Sequence, residues 1–223
     1  CNASQGESQT RLTAGAQVCI IAPIFVPKRR KMRLPGQVKE AAAMIIETDR
    51  LILRPWTEDD APVLYRYARD PRVGPPAGWA PHTSVDNSRE IIRTVLSAPG
   101  TFAVVLRQTG EPVGSAGYFK PHMACFTPGP NEMELGYWIG VPYWGQGLIP
   151  EAVRALQDWC FGSLGCPALW CCYYEGNAKS ARVQEKCGFR HHHTETDRPC
   201  ALGGTHTEHF TRLTREEWER GRQ

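Results

Sequence analysis

Two segments of the sequence carry the residues whose types and spacing are best suited to chemistry. The first covers residues 134–156 and holds the turn Gly145-Gln146-Gly147, and the second covers residues 177–189. A glycine turn that leads into a helix exposes unpaired backbone N–H groups at the positive end of the helix, and glycine lets an anion approach the main chain. The first segment therefore predicts a phosphate site, although a Gly-x-Gly turn alone is more often an ordinary turn.

The hydrophobic pattern places the first segment on a strand, a turn and a helix. Leu135, Tyr137 and Ile139 alternate with Gly136 and Trp138, which is typical of a strand. After the glycine turn, apolar residues recur at three- and four-residue spacing, as in an amphipathic helix: Ile149, Ala152, Val153, Leu156, Trp159 and Cys160.

Together the two segments resemble the GNAT acetyltransferase superfamily, in particular its branch of ribosomal-protein N-terminal (Rim-type) acetyltransferases. The second segment supplies Asn177-x-x-Ser180, followed by Glu185-Lys-x-Gly-Phe189, at the spacing of that family. The resemblance covers about residues 44–218 and is specific for the superfamily but not for the substrate. It implies a mixed α/β (α+β) fold whose largely antiparallel sheet, flanked by helices, is splayed between its fourth and fifth strands, here those near 132–140 and 168–174.

The resemblance implies acetyl-CoA as the co-substrate and indicates the residues that hold it. The backbone N–H groups of Gly145, Gln146 and Gly147 are the expected pyrophosphate donors, so the side chain of Gln146 should matter little. Ile149 stands where the superfamily usually has a small residue, and it is expected to narrow the site. The other expected coenzyme contacts lie beside the turn and on the second segment: Ile139, Val141, Trp144, Leu148, Asn177, Ser180 and Lys186.

The resemblance also implies the catalytic groups. Glu134 is the expected general base, which takes the proton of the amine through water; the alternative is that Glu132 and Glu134 only form the polar face of a half-exposed strand. The N–H of Ile139 is expected to polarise the thioester carbonyl. In much of the superfamily, a tyrosine acts as the general acid for the leaving thiolate at the position where this chain has Gln184. Ser180 is expected to replace this tyrosine, with its hydroxyl hydrogen-bonded to the coenzyme sulfur. The alternative is that Ser180 simply faces solvent.

The acceptor implied by the resemblance is a primary amine, either a protein N-terminus or a small molecule, which attacks the thioester without an acyl-enzyme. The loops at 70–83 and 121–131 and the second helix are expected to select it. Four side chains are candidates to line the acceptor pocket, although aromatic residues in loops are as often packing residues: Trp79, His82, Tyr118 and His122.

The histidines and cysteines favour neither a metal site nor disulfides. In His191-His-His193, neighbouring side chains on a strand should point to opposite faces, so the triplet is not expected to chelate one ion. The spacing to Cys200, His206 and His209 matches no structural zinc pattern. We therefore expect no metal. Nine cysteines without a Cys-x-x-Cys pair favour a reducing cytoplasm, with Cys171-Cys172 in a strand core.

Charge divides the chain into two expected parts. Residues 1–43 carry a net charge of +5 and include a basic cluster at 28–33, whereas residues 44–223 carry −2. We expect residues 1–43 to be a disordered leader, an added segment or sequence upstream of the natural start. Residues 44–223 should form one acetyltransferase domain, monomeric or homodimeric.

Partners of other classes are not favoured for that domain. Its acidic balance gives no reason to expect nucleic acid, and no apolar run has the length of a membrane span. Two alternatives stay open: a non-catalytic acyl-CoA-binding module, and a nucleic-acid-binding protein that uses the basic cluster at 28–33.

Overall fold

The computed structural model describes residues 44–121, 124, 126 and 128–222. In this part of the chain, eight strands form one sheet in the order β1-β2-β3-β4-β5-β6-β8-β7. Of these neighbours, β5 and β6 are parallel and the others are antiparallel, so the mixed, largely antiparallel sheet is confirmed. The strands are β1 Ile46–Glu47, β2 Leu51–Arg54, β3 Thr101–Leu106, β4 Pro112–Phe119, β5 Met133–Ile139, β6 Ala168–Tyr174, β7 Arg190–Pro199 and β8 Thr205–Thr214.

Two of the helices begin at capping residues that can be recognised in the sequence. Asn177 accepts the N–H of Ser180 and so caps its helix, and Gly188, with a φ of 84°, follows the end of that helix. Thr214 forms a capping box with Glu217. The α-helices of the described residues are α1 Ala61–Ala68, α2 Val85–Ile91, α3 Leu148–Asp158, α4 Ala178–Lys186 and α5 Arg215–Arg220. Among these residues, no helix has both the length and the apolar character that a membrane span requires.

The sheet opens between β5 and β6. The two strands are in register only at Met133–Leu169 and Glu134–Trp170, although β5 continues to Ile139 and β6 to Tyr174. On its other edge, β5 stays paired with β4 as far as Ile139. The carboxyl-terminal halves of β5 and β6 therefore separate into a wedge, which is the splay expected from the sequence.

Apolar layers cover both faces of the sheet and fix the direction of each side chain on β5. Leu135 packs with Leu156 of α3 in one layer, and Trp138 packs with Leu64 of α1 in the other. Because successive side chains of a strand point to opposite faces, odd-numbered residues of β5 face α3 and even-numbered residues face α1. Glu134 therefore lies on the α1 side and Tyr137 on the α3 side.

Three predicted strands differ in the structure. The alternating pattern of residues 48–54 predicts a strand that begins at Thr48, but β2 begins at Leu51, because the Thr48 N–H donates to the Leu51 carbonyl at 2.9 Å and the turn pairs β1 with β2 as a hairpin. The late strands, predicted at 189–195 and 207–213, extend further into polar sequence. Cross-strand pairing between residues 198–199 and 205–206 continues the β7–β8 ladder to the turn, which the hydrophobic pattern did not indicate.

Candidate active site

A cavity of about 570 Å³ lies at the splay. Its wall is built from the separated ends of β5 and β6, the glycine turn, the first turn of α3 and the beginning of α4, so the two segments chosen from the sequence meet there. Val141 and Gln146 belong to the turn but are not among the wall residues. The predicted site residues in the wall are Glu134, Ile139, Trp144, Gly145, Gly147, Leu148, Asn177, Ser180 and Lys186.

The glycine turn adopts a backbone that glycine is needed for. Gly145 and Gly147 have φ values of 76° and 74°, in the left-handed region that other residues rarely enter. A Cβ atom on Gly145 would meet no heavy atom within 4 Å, so the turn is open on that side. The side chain of Gln146 is tied back, because its Nε2 donates to the Pro142 carbonyl at 2.9 Å. The turn thus presents main chain next to the first turn of α3, which is the arrangement that binds anions.

Arg50 holds this turn from the N-terminal hairpin. Its Nη1 donates to the Gln146 carbonyl at 3.0 Å, and its Nε pairs with Oε2 of Glu151 at 2.6 Å. The Glu151 carboxylate also accepts from the Arg50 N–H at 2.9 Å and from the Thr48 hydroxyl at 2.6 Å. Arg50 therefore offsets a carboxylate charge in the first turn of α3. Sequence reasoning missed Arg50, because its partner lies 101 residues away.

The two glutamates near the start of β5 have different surroundings, and both are buried, at 8% exposure for Glu132 and 4% for Glu134. Burial alone would raise the pKa of Glu132, but hydrogen bonds from Trp170 (2.6 Å) and Arg212 (2.5 Å) hold that pKa below its usual value. Glu132 is thus an ionised structural anchor. Glu134 lines the cavity and accepts from the Cys172 thiol at 3.3 Å. The alternative of a half-exposed polar strand face is therefore wrong.

The N–H of Ile139 points into the splay. Gly140 donates to the Val113 carbonyl at 2.8 Å, and Ile139 lies opposite Gly114. Because N–H directions alternate along an antiparallel ladder, the Ile139 N–H points away from β4. The Ile139 carbonyl points the same way and accepts from Nε1 of Trp144 at 3.0 Å. A backbone donor is therefore directed at the cavity where a thioester carbonyl was expected, and its catalytic role stays a prediction.

Ser180 lies in a hydrogen-bonded group rather than facing solvent. The Tyr137 hydroxyl donates to the Ser180 carbonyl at 3.2 Å and lies 3.1 Å from Ser180 Oγ, and Nε2 of Gln184 donates to the same Oγ at 3.2 Å. Burial raises the pKa of Tyr137 well above its usual value, so the phenol stays protonated. Sequence reasoning treated Tyr137 only as an apolar strand residue and missed its hydroxyl in the cavity wall.

Two further contacts tie α4 to the rest of the site. Asn177 uses its Oδ1 for the helix cap and its Nδ2 to bond the Pro76 carbonyl at 3.0 Å, in the loop before α2. The ammonium group of Lys179 lies 4.3 Å from the centre of the Trp144 ring, which is a cation–π contact. The start of α4 therefore contacts both the loop at 70–83 and the glycine turn.

Of the predicted acceptor residues, Trp79, His82 and Tyr118 are not part of the cavity wall. Trp79 and His82 are buried at 6% and 7% exposure in the α1–α2 layer; His82 Nδ1 lies 2.8 Å from the Ser88 hydroxyl, and burial lowers the pKa of His82 to about 4. Tyr118 packs beside the α3 layer, and His122 lies outside the described residues. The part of the wall formed by β6 and β8 instead contains Cys172, Tyr173, Tyr174 and Glu208.

The histidine triplet on β7 does not alternate as predicted. The register between β7 and β8 shifts between His191 and His193, and this bulge brings Nδ1 of His192 to 2.8 Å from Nδ1 of His193. Both rings contact Trp170 on the same face of the sheet. Within the described part of the chain, no group of three or more His, Cys, Asp or Glu side chains is arranged to hold a metal ion.

Comparison with protein families gives a match over most of the domain. The model of the family described as "Acetyltransferase (GNAT) domain" matches residues 50–190. The uncharacterized N-acetyltransferase p20 of Bacillus licheniformis is 35% identical over 122 residues, which cover 52% of this chain and 66% of p20. YdaF of Bacillus subtilis, named as a proposed ribosomal N-acetyltransferase, is 34% identical over 89 residues, which cover 40% of this chain and 49% of YdaF.

A solved structure has the same fold. It is described as a proposed ribosomal-protein-serine acetyltransferase from Vibrio cholerae and superposes with a TM-score of 0.64 at 27% identity. The superposition covers 77% of this chain and 97% of that protein. The splayed sheet is therefore shared with a protein that is described as an acetyltransferase.

Proposed function

The chain belongs to the GNAT acetyltransferase family, and we propose that it transfers the acetyl group of acetyl-CoA directly to a primary amine. The observation that carries this proposal is the meeting of three groups at one cavity: the open glycine turn, the inward N–H of Ile139 and the buried carboxylate of Glu134. The first suits a pyrophosphate, the second a polarised carbonyl, and the third the proton of an amine.

Different residues of the cavity wall act in different steps of the proposed reaction. The N–H groups of the glycine turn bind the pyrophosphate, and the N–H of Ile139 bonds the thioester oxygen as negative charge develops there. The nitrogen of the neutral amine forms a bond to the acetyl carbon, and Glu134 accepts the amine proton through water. The carbon–sulfur bond then breaks with its electron pair on sulfur, which receives a hydrogen bond from Ser180. The thiolate finally takes a proton from solvent.

The acceptor is a protein N-terminus or a small amine. The names of YdaF and of the Vibrio cholerae protein support a ribosomal-protein terminus. The mildly acidic domain supports a cationic acceptor of either kind.

Calorimetric titration of the full chain with acetyl-CoA tests the coenzyme site. Gly147→Trp should abolish binding, because a side chain at this position fills the approach to the turn. Gly110→Trp is the matched control, since Gly110 also has a positive φ (70°) but lies in the β3–β4 turn. Equal binding by both variants would show that the glycine turn is not the coenzyme site.

Release of CoA thiol with a panel of amines then tests turnover. Release with at least one amine is expected. If acetyl-CoA binds but no amine supports release, the chain is a non-catalytic acyl-CoA-binding module.

A further inference from the structure

Gln184 is a buried polar side chain that the reaction described above does not use. It is 1% exposed, and its amide lies between three elements of the fold. Its Nε2 donates to the Cys172 carbonyl on β6 at 3.0 Å and to Ser180 Oγ on α4 at 3.2 Å. Its Oε1 accepts from the Thr211 hydroxyl on β8 at 2.7 Å. Every polar atom of this side chain is therefore bonded, which gives the amide one orientation.

The Cys172 carbonyl determines that orientation. A backbone carbonyl only accepts hydrogen bonds, so the amide atom 3.0 Å from it must be the NH₂ group. The other amide atom is then the oxygen, which matches the hydroxyl donor on Thr211. One hydrogen of the NH₂ group goes to Cys172 and the second goes to Ser180.

The orientation of Gln184 fixes the hydrogen-bonding direction of Ser180. Since Ser180 Oγ accepts from Gln184, its own hydrogen must point elsewhere. The hydrogen of Tyr137 is directed at the Ser180 carbonyl, so Tyr137 Oη at 3.1 Å is a nearby acceptor for the Ser180 hydrogen. Both Tyr137 and Ser180 lie in the cavity wall, which leaves the Ser180 hydroxyl poised as a donor toward the cavity.

We propose that Gln184 is a positioning residue that makes Ser180 a hydrogen-bond donor to the sulfur of the coenzyme. When the carbon–sulfur bond breaks, its electron pair stays on sulfur, and the Ser180 O–H turns from Tyr137 to the thiolate. No proton leaves Ser180, because the thiolate is protonated by solvent and the amine proton goes to Glu134. The inference rests on the proposed acetyl transfer and adds the residue that orients Ser180 toward the leaving thiolate.

Isosteric replacements separate this role from simple packing. Gln184→Glu keeps the shape of the side chain but presents oxygen to Ser180, which would then donate to the new carboxylate and lose its hydrogen for sulfur. Gln184→Leu removes both polar atoms. Thr211→Val is the matched control, because it loosens the same buried group but leaves the amide oriented by the Cys172 carbonyl.

The readout is calorimetric affinity for CoA relative to desulfo-CoA, which needs no turnover. The wild type should bind CoA about three- to tenfold more tightly than desulfo-CoA. Ser180→Ala, Gln184→Glu and Gln184→Leu should bring this ratio close to one, whereas Thr211→Val should keep it. The melting temperature of each variant shows whether it has folded.

Turnover gives a second readout. In the two Gln184 variants, kcat should fall about tenfold with little change in the KM for acetyl-CoA. A wild-type affinity ratio of one, or an unchanged ratio and kcat in Gln184→Glu, would overturn the inference and leave the proposed acetyl transfer standing. Failure of the wild type to bind either ligand would instead overturn the proposed function, and the inference with it.

Discussion

Two neighbouring carboxylates at the start of β5, those of Glu132 and Glu134, are expected to have different roles because their hydrogen-bond partners differ. Glu132 is surrounded by donors from Trp170 and Arg212, and its charge is satisfied within the fold. Glu134 lies two residues further along the chain. It faces the cavity and accepts a hydrogen bond from the Cys172 thiol. The chemistry of each glutamate therefore follows from what surrounds it.

Substitution of each glutamate by glutamine should separate these tasks. Glu134→Gln should lower kcat about 100-fold or more, because the proton of the amine loses its acceptor, and should leave acetyl-CoA affinity unchanged. Glu132→Gln should instead lower the melting temperature, since it removes the charge from buried hydrogen bonds. Thiol release and thermal unfolding of both variants check this. A Glu134→Gln enzyme of wild-type rate would remove the general base from the mechanism.

His82 should make the stability of the domain depend on pH. Its folded pKa is about 4, below the ordinary value of about 6.5, so between these values the unfolded chain holds a proton that the folded chain does not. Stability is therefore full above about pH 6.5 and falls as the pH drops toward 4. At pH 5 the loss from this residue should be about 2 kcal/mol.

Urea unfolding at pH 7 and pH 5 measures this loss against His82→Gln. The glutamine can keep a hydrogen bond to Ser88 but cannot ionise, so the variant should lose less stability on acidification. All other titrating groups are shared by the two proteins. Equal acid sensitivity in both would show that His82 is not the group responsible.

At the scale of elements, the β1–β2 hairpin holds the glycine turn in place. Arg50 reaches from this hairpin to both the Gln146 carbonyl and the Glu151 carboxylate. The turn that we propose to bind the pyrophosphate is thus held by a separate part of the chain, and Arg50 offsets the charge of a carboxylate close to this turn.

Loss of these Arg50 contacts should weaken coenzyme binding more than chemistry. Arg50→Gln should raise the Kd for acetyl-CoA about fivefold to tenfold, because Glu151 then repels the anion near the helix N-terminus. The matched control is Arg107→Gln, whose ion pair with Glu47 and bond to the Thr48 carbonyl at 2.8 Å stabilise the same hairpin away from the turn. Calorimetry on both should show weaker binding only for Arg50→Gln.

Elements carried by local signals could be predicted from the sequence, and those made by distant contacts could not. Asn177 caps the start of α4 and Gly188 follows its end, so both signals lie in one short segment of sequence and the bounds of α4 could be predicted. The position of Trp79 and His82 was not, because their burial depends on the packing of α1 and α2 around them. The β7 bulge likewise depends on the pairing of a long hairpin.

At the scale of the whole molecule, the site lies where the sheet opens between β5 and β6. Among the described residues, seven strand pairings order eight strands, and six of these pairings are antiparallel, while the parallel one ends after two register pairs. The resulting cavity is walled by residues from both ends of the domain, from Arg72 to Glu208. No single segment of the sequence contains the whole site, although the segments 134–156 and 177–189 were enough to predict it.

The bond from Asn177 to the Pro76 carbonyl has a consequence for the order of events in time. It joins the cap of α4 to the loop at 70–83, and Gly78 in that loop lies against the hydroxyl of Tyr174 in the cavity wall. Binding of the coenzyme to α4 should therefore also fix the positions of this loop and of Tyr174, which we expect to contact the amine. We expect ordered kinetics in which acetyl-CoA enters before the amine and CoA leaves last. Product inhibition by CoA should be competitive with acetyl-CoA alone, and a random-order pattern would uncouple the loop from the helix cap.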